Sequence, residues 1–199
     1  LALAGPRDAS NGVSDERILF GQSCALTGHA AELGEDMQAG LRAAFATRNE
    51  LGGIHGRRLD LETLDDRFNS ERSGAATRAL IEQHRVFALI GQVGTHTSRS
   101  AARVCESSGV PFLAPLSGAA FLRRPDLARI VNLRADFDQE MERLVQYLVD
   151  SQGYTNIACF YENDGHGKAG LAGVERALKQ RGLQLSGVGF VRRNTTAKA

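Results

Sequence analysis

Phe87-Ala88-Leu89-Ile90-Gly91 runs directly into Gln92-Val93-Gly94-Thr95-His96-Thr97-Ser98, a strand followed at once by a helix. An apolar run of strand length ends in glycine, and hydroxyl side chains follow at the position of a helix start. Open α/β sheets collect ligands outside the carboxyl ends of such strands. The helix N-terminus there offers unpaired backbone N–H groups and a partial positive charge. The device recurs at Val110-Pro111-Phe112-Leu113-Ala114, whose small-residue exit is Pro115-Leu116-Ser117-Gly118-Ala119. Two neighbouring exits of this kind frame half a pocket.

Outward from this join, the pattern predicts strands near residues 18–23, 58–64, 86–90, 110–114, 130–133, 157–161 and 184–191, with helices between them. Met37, Leu41, Ala44 and Phe45 keep helical spacing, as do Leu144, Tyr147 and Leu148, and Gly52-Gly53 and Gly182 supply helix stops. Short apolar strands alternating with helices mean repeated βαβ units in an α/β fold: a three-layer, Rossmann-like parallel sheet. Residues 1–15 have no periodicity and read as a tail or signal remnant. Polar Arg134-Ala135-Asp136-Phe137-Asp138 marks a boundary. Residues 16–136 then form a first lobe, and 137–199 the start of an incomplete second α/β lobe, since so few elements make no stable domain of their own.

The 199 residues carry 42% hydrophobic residues, enough for an ordinary core, and 24 basic against 23 acidic side chains, a formal net charge of +1. So balanced a surface has no electrostatic footprint for nucleic acid or an anionic membrane. No run approaches the roughly 18 apolar residues of a membrane span. Leu1-Ala2-Leu3-Ala4-Gly5 resembles the end of a signal region, and Ala2-Leu3-Ala4 has the small-x-small form of an export cleavage site. Cys24, Cys105 and Cys159 cannot all pair and lack metal-ligand spacing, as do the five histidines. Free thiols and no metal or other cofactor are expected.

Several segments in order resemble the Leu/Ile/Val-binding family of type I periplasmic binding proteins, over residues 17 to 199. They are Ala25-Leu26-Thr27-Gly28 with Leu33-Gly34, then Leu51-Gly52-Gly53-Ile54-His55-Gly56-Arg57-Arg58-Leu59, Asp65-Asp66, Ile90-Gly91 and Pro111-Phe112-Leu113-Ala114-Pro115. The resemblance implies two α/β lobes with a small amino-acid-like or carboxylate ligand captured between them. It also implies a non-catalytic, exported protein serving the permease of a membrane ABC transporter. By the same resemblance the ligand contacts fall on Leu33 in the first loop, on Val93, Gly94 and Thr95 after the third strand, on Ser117 and Gly118 after the fourth, and on His166 in lobe two. Gly118 stands where the family commonly has a hydroxyl residue, and Leu33 and His166 replace aromatics. A sensory input domain of a membrane-bound receptor would share this pocket.

Other readings compete at single sites. Thr97 and Ser98 read as caps of the third helix, whereas Thr95, one step earlier, is freer to face a ligand. Asp65-Asp66 reads as a turn or solvated edge. Gly165-His166-Gly167-Lys168-Ala169-Gly170 fits the dinucleotide pattern G-x-G-x-x-G, with Arg192-Arg193 after the next strand, so an NADP-dependent oxidoreductase is the enzyme alternative. Against it, polar Tyr161 to Asp164 separate the strand from the first glycine. Gly21-Gln22-Ser23-Cys24-Ala25 falls short of a nucleophile elbow, lacking the last glycine.

Overall fold

The computed structural model describes residues 11–192, and the chain divides into two compact units. The first runs to Ser117 and takes in Leu122–Leu133; the second comprises Gly118–Phe121 and the chain from Arg134 onward. Leu1 to Ser10, with the expected export site, and Arg193 lie outside the described residues.

The first unit is built on a five-stranded parallel sheet in the order β2-β1-β3-β4-β5. Its strands are β1 (Arg17–Cys24), β2 (Arg58–Asp65), β3 (Ala88–Ile90), β4 (Phe112–Leu113) and β5 (Ile130–Val131). Successive residues of a strand face opposite sides, and β1 shows it. The Phe20 ring lies 5.2 Å from Phe45 of helix α1 (Ala31–Glu50), while Gly21 lies against Val86 and against Leu80 of helix α2 (Ser70–Glu82). Helix α3 (Thr95–Ser108) packs beside α2. The sheet order therefore reverses between β1 and β3, the switch point at which doubly wound sheets open a crevice.

Local chemistry places the helix ends. The Asn69 side chain accepts from the N–H groups of Glu71 and Arg72 at the start of α2, and Gly109 closes α3 in the left-handed conformation with φ of 71°. Residues 12–15, expected as tail, are tied down. Leu19 N–H donates to Gly12 O at 2.7 Å, Val13 bridges Ile18, and Arg57 Nε donates to Ser14 O.

The second unit pairs β6 (Ala158–Glu162) with β7 (Gly187–Val191) in parallel, with helices α4 (Phe137–Val145) and α5 (Gly165–Gln180) packed on each other. Its core is Val145, Val174, Ala177 and Leu178, with Met141, Val149 and Ile157 against it. This corrects the expected Leu144, Tyr147 and Leu148 stripe, because Leu144 and Tyr147 are exposed. The inward face is Met141, Val145 and Val149, and α4 passes at Gln146 into a π-helical segment, Gln146–Ser151. Among the described residues no helix is long and apolar enough to cross a membrane.

Candidate functional site

The β3–α3 join brings four of the expected residues together. Val93 is buried and pairs with Leu116 in a parallel bridge, so the loops after β3 and β4 run side by side. Gly94 precedes α3 with φ 97° and ψ 150°, a conformation essentially reserved for glycine. A Cβ there would fall 2.5 Å from Phe68 Cε2. Thr95 opens the helix, and its hydroxyl lies 3.0 Å from that of Ser117, both side chains buried. Gly94, at the cap position, has no side chain with which to cap α3. The expected caps do other work: Thr97 Oγ1 donates to the carbonyls of Val93 and Gly94, and Ser98 Oγ is buried with no hydrogen-bond partner among the described residues. Glycine takes the cap position and leaves both residues inside the helix, where the Thr97 hydroxyl turns back to the preceding carbonyls.

Leu33 belongs to the first turn of α1, not to a loop, because the helix begins at Ala31; it is 52% exposed. Its neighbour Gly34 is forced, as a Cβ would meet Ala25 O at 1.8 Å.

Gly118 and His166 belong to the second unit and meet one ring. A Cβ on Gly118 would sit 2.5 Å from Phe137 Cδ1, so no larger residue fits there without moving that ring. The exposed His166 ring stands edge-on to Phe137 at 4.8 Å, and the Arg134 guanidinium lies 5.9 Å over the same ring. Strand β6 runs to Glu162, so only Asn163 and Asp164 precede the glycine motif, fewer than the sequence reading assumed. All three glycines nevertheless lie inside α5, whose N-terminus is capped by the Asp164 carboxylate accepting from Gly167 N–H. Negative charge already occupies the place a pyrophosphate would take. Gly167 has a packing reason as well: a Cβ would meet Glu162 O at 2.0 Å.

Sequence reasoning missed the polar network beneath the first loops. Asp66 is not a solvated edge but fully buried: Oδ2 accepts from Gln92 Nε2 at 2.8 Å and Ser23 Oγ at 3.0 Å, and Oδ1 from Phe68 N–H at 2.9 Å. Burial raises its pKa above the ordinary carboxylate value and pushes the neighbouring Cys24 thiol up to about 12. Asp65 is the turn residue expected. Burial opposes its ionisation, but hydrogen bonds from the Thr27 hydroxyl and the N–H groups of Leu26 and Arg67 outweigh it and hold the pKa below the usual value. The available signal was Gln22, Ser23 and Gln92, polar residues at the ends of strands that should be apolar; buried polar groups require partners. Phe68, with φ of 55°, stands edge-on to both His29 and His96, and His96 Nε2 lies 2.9 Å from Phe68 O. No group of three potential metal ligands occurs among the described residues.

A family model described as periplasmic binding protein matches residues 18–197. The chain is 24% identical over 160 residues to an amino acid binding protein of Pseudomonas aeruginosa, covering 80% of this chain and 42% of that protein. The crystal structure of a possible leucine/isoleucine/valine-binding protein from Rhodopirellula baltica superposes with a TM-score of 0.83 at 30% identity, over 95% of this chain and 51% of that one. The branched-chain amino acid transporter substrate-binding protein LivJ of Streptococcus pneumoniae, solved with isoleucine, gives a TM-score of 0.80 at 16% identity, over 92% and 52%. The chain thus spans about half the length of the relatives it matches.

Proposed function

The chain belongs to the periplasmic binding protein family, and on that premise we propose that it captures a small amino-acid-like or carboxylate ligand outside the cytoplasm, for an ABC transporter permease. The observation that carries this reading is the hydroxyl pair Thr95 and Ser117, 3.0 Å apart at the start of a helix whose cap position is held by Gly94. A carboxylate set there gains the helix-end field, worth about 0.3–1 kcal/mol and up to ~2 when partly buried. Each hydrogen bond to the charged group adds roughly 1.5–3 kcal/mol. The main chain of Val93 and Gly94 belongs to the same proposal, because the side chain of one is buried and the other has none. Leu33, Gly118 and His166 enter it as further ligand contacts in the whole protein.

The role is binding without chemistry. Asp66, the one fully buried carboxylate among the described residues, is occupied by three hydrogen bonds, and the thiols of Cys24 and Cys105 are held protonated by burial. Calorimetric titration with L-leucine, L-isoleucine, succinate and NADPH tests the reading. Heat from at least one of the first three and none from NADPH is expected. NADPH binding abolished by Gly167→Val would replace it.

A further inference from the structure

We infer that Asp66 is the positioning residue for the ligand loops, acting through Gln92 and Phe68; the inference deepens the proposed reading of Thr95 and Ser117 and rests on it. Gln92 is the knot between the two loops. Its carbonyl accepts Leu116 N–H at 2.7 Å, one residue before Ser117, and its chain continues through Val93 and Gly94 to Thr95. Its side chain is fastened to Asp66 Oδ2 at 2.8 Å. The other carboxylate oxygen takes Phe68 N–H at 2.9 Å, and Phe68 in turn bounds Gly94 with its ring and meets His96 Nε2 with its carbonyl. One buried carboxylate therefore fixes the β3–α3 loop from the Gln92 side and from the Phe68 side.

The chemistry of the tie gives a specific rescue. A carboxylate only accepts, and Oδ2 does so twice, from Gln92 and Ser23. Asparagine would place an N–H₂ group there, which faces the Gln92 donor unless that amide turns over. It can, because Gln92 Oε1 is buried with no hydrogen-bond partner among the described residues. After the turn, Asn Nδ2 donates to Gln92 Oε1 and to Ser23 Oγ, while Asn Oδ1 keeps Phe68 N–H. Alanine keeps none of these.

Hydrogen exchange read by mass spectrometry on the whole chain tests this, with wild type, Asp66→Ala, Asp66→Asn, Gln92→Ala and Leu80→Ala as a core-destabilised control. Asp66→Ala and Gln92→Ala are expected to raise exchange about tenfold or more over residues 93–98 and 115–118, leaving α4 and α5 unchanged. Asp66→Asn is expected to stay within about threefold of wild type. The same local pattern in Leu80→Ala, a rise spread evenly over β2 and α2, or an Asp66→Asn variant as open as Asp66→Ala would overturn the inference. Should Asp66→Ala fail to fold, Gln92→Ala decides by itself. L-Leucine titration of the same samples separates the two levels: wild type that ignores L-leucine counts against that ligand, while the exchange pattern still decides the role of Asp66.

Discussion

Replacing Gly94 by alanine should damage the protein at the point where fold and site coincide. The backbone there, at φ 97° and ψ 150°, lies in a region that costs a residue with a Cβ roughly 1–3 kcal/mol. The added carbon would sit 2.5 Å from Phe68 Cε2, 2.8 Å from Thr97 Oγ1 and 2.9 Å from Phe68 Cζ, an overpacking of the kind that costs about 1–3 kcal/mol. The lower entropy of unfolded alanine returns only about 0.4–1 kcal/mol, so a net loss of about 1–6 kcal/mol is expected. Against a typical total of about 5–15 kcal/mol that is a large fraction, and the first unit should melt roughly 4 °C or more lower. Urea denaturation followed by circular dichroism measures it, with the Phe68 ring resonances as a local probe. A loss below about 0.5 kcal/mol with the Phe68 resonances unmoved would refute the steric argument.

Three further outcomes are expected. Gly40→Ala, in α1 with nothing within 4 Å of the new Cβ, should raise stability by about 0.8–1 kcal/mol, read from the urea midpoint. Asp164→Ala should destabilise the second unit by about 1 kcal/mol through loss of the α5 cap, visible in its melting transition. The Asp65 and Asp66 variants should separate by pH. Asp65 has a lowered pKa, so its ionised form stabilises the fold above the ordinary carboxylate value, and the melting difference between wild type and Asp65→Asn should shrink as pH falls through the lowered value. Asp66 has a raised pKa, so its contribution is fully present at low pH and is lost as pH rises through the raised value; the melting temperature of Asp66→Asn relative to wild type should climb over that window.

The alternation of apolar runs and helical stripes made the parallel α/β architecture legible, and the ordered pieces from Ala25 to Pro115 made the family legible. What stayed hidden depended on geometry that periodicity does not carry. Thr97 and Ser98 look like caps in sequence, but the glycine before Thr95 takes the cap position and turns the Thr97 hydroxyl onto carbonyls. The α4 stripe was misplaced where regular winding gives way to a π-helical segment. Asp66 was unreadable because its partners, Ser23 and Gln92, are 43 and 26 residues away in the chain. The local donor, Phe68 N–H, would serve an exposed turn equally well; only the distant donors mark the carboxylate as buried.

Of all the residues proposed to meet a ligand, Thr95 is the one whose hydroxyl lies at the start of α3. Calorimetry of wild type, Thr95→Ala and Thr95→Ser against whichever of L-leucine, L-isoleucine or succinate wild type binds measures its hydroxyl, and circular dichroism melting runs in parallel. Alanine is expected to weaken binding about tenfold or more with little change in melting temperature, and serine, which keeps the hydroxyl 3.0 Å from Ser117, to stay close to wild type. An unchanged Kd in Thr95→Ala with a lowered melting temperature would contradict the binding role of Thr95, assigning the hydroxyl pair to the fold alone.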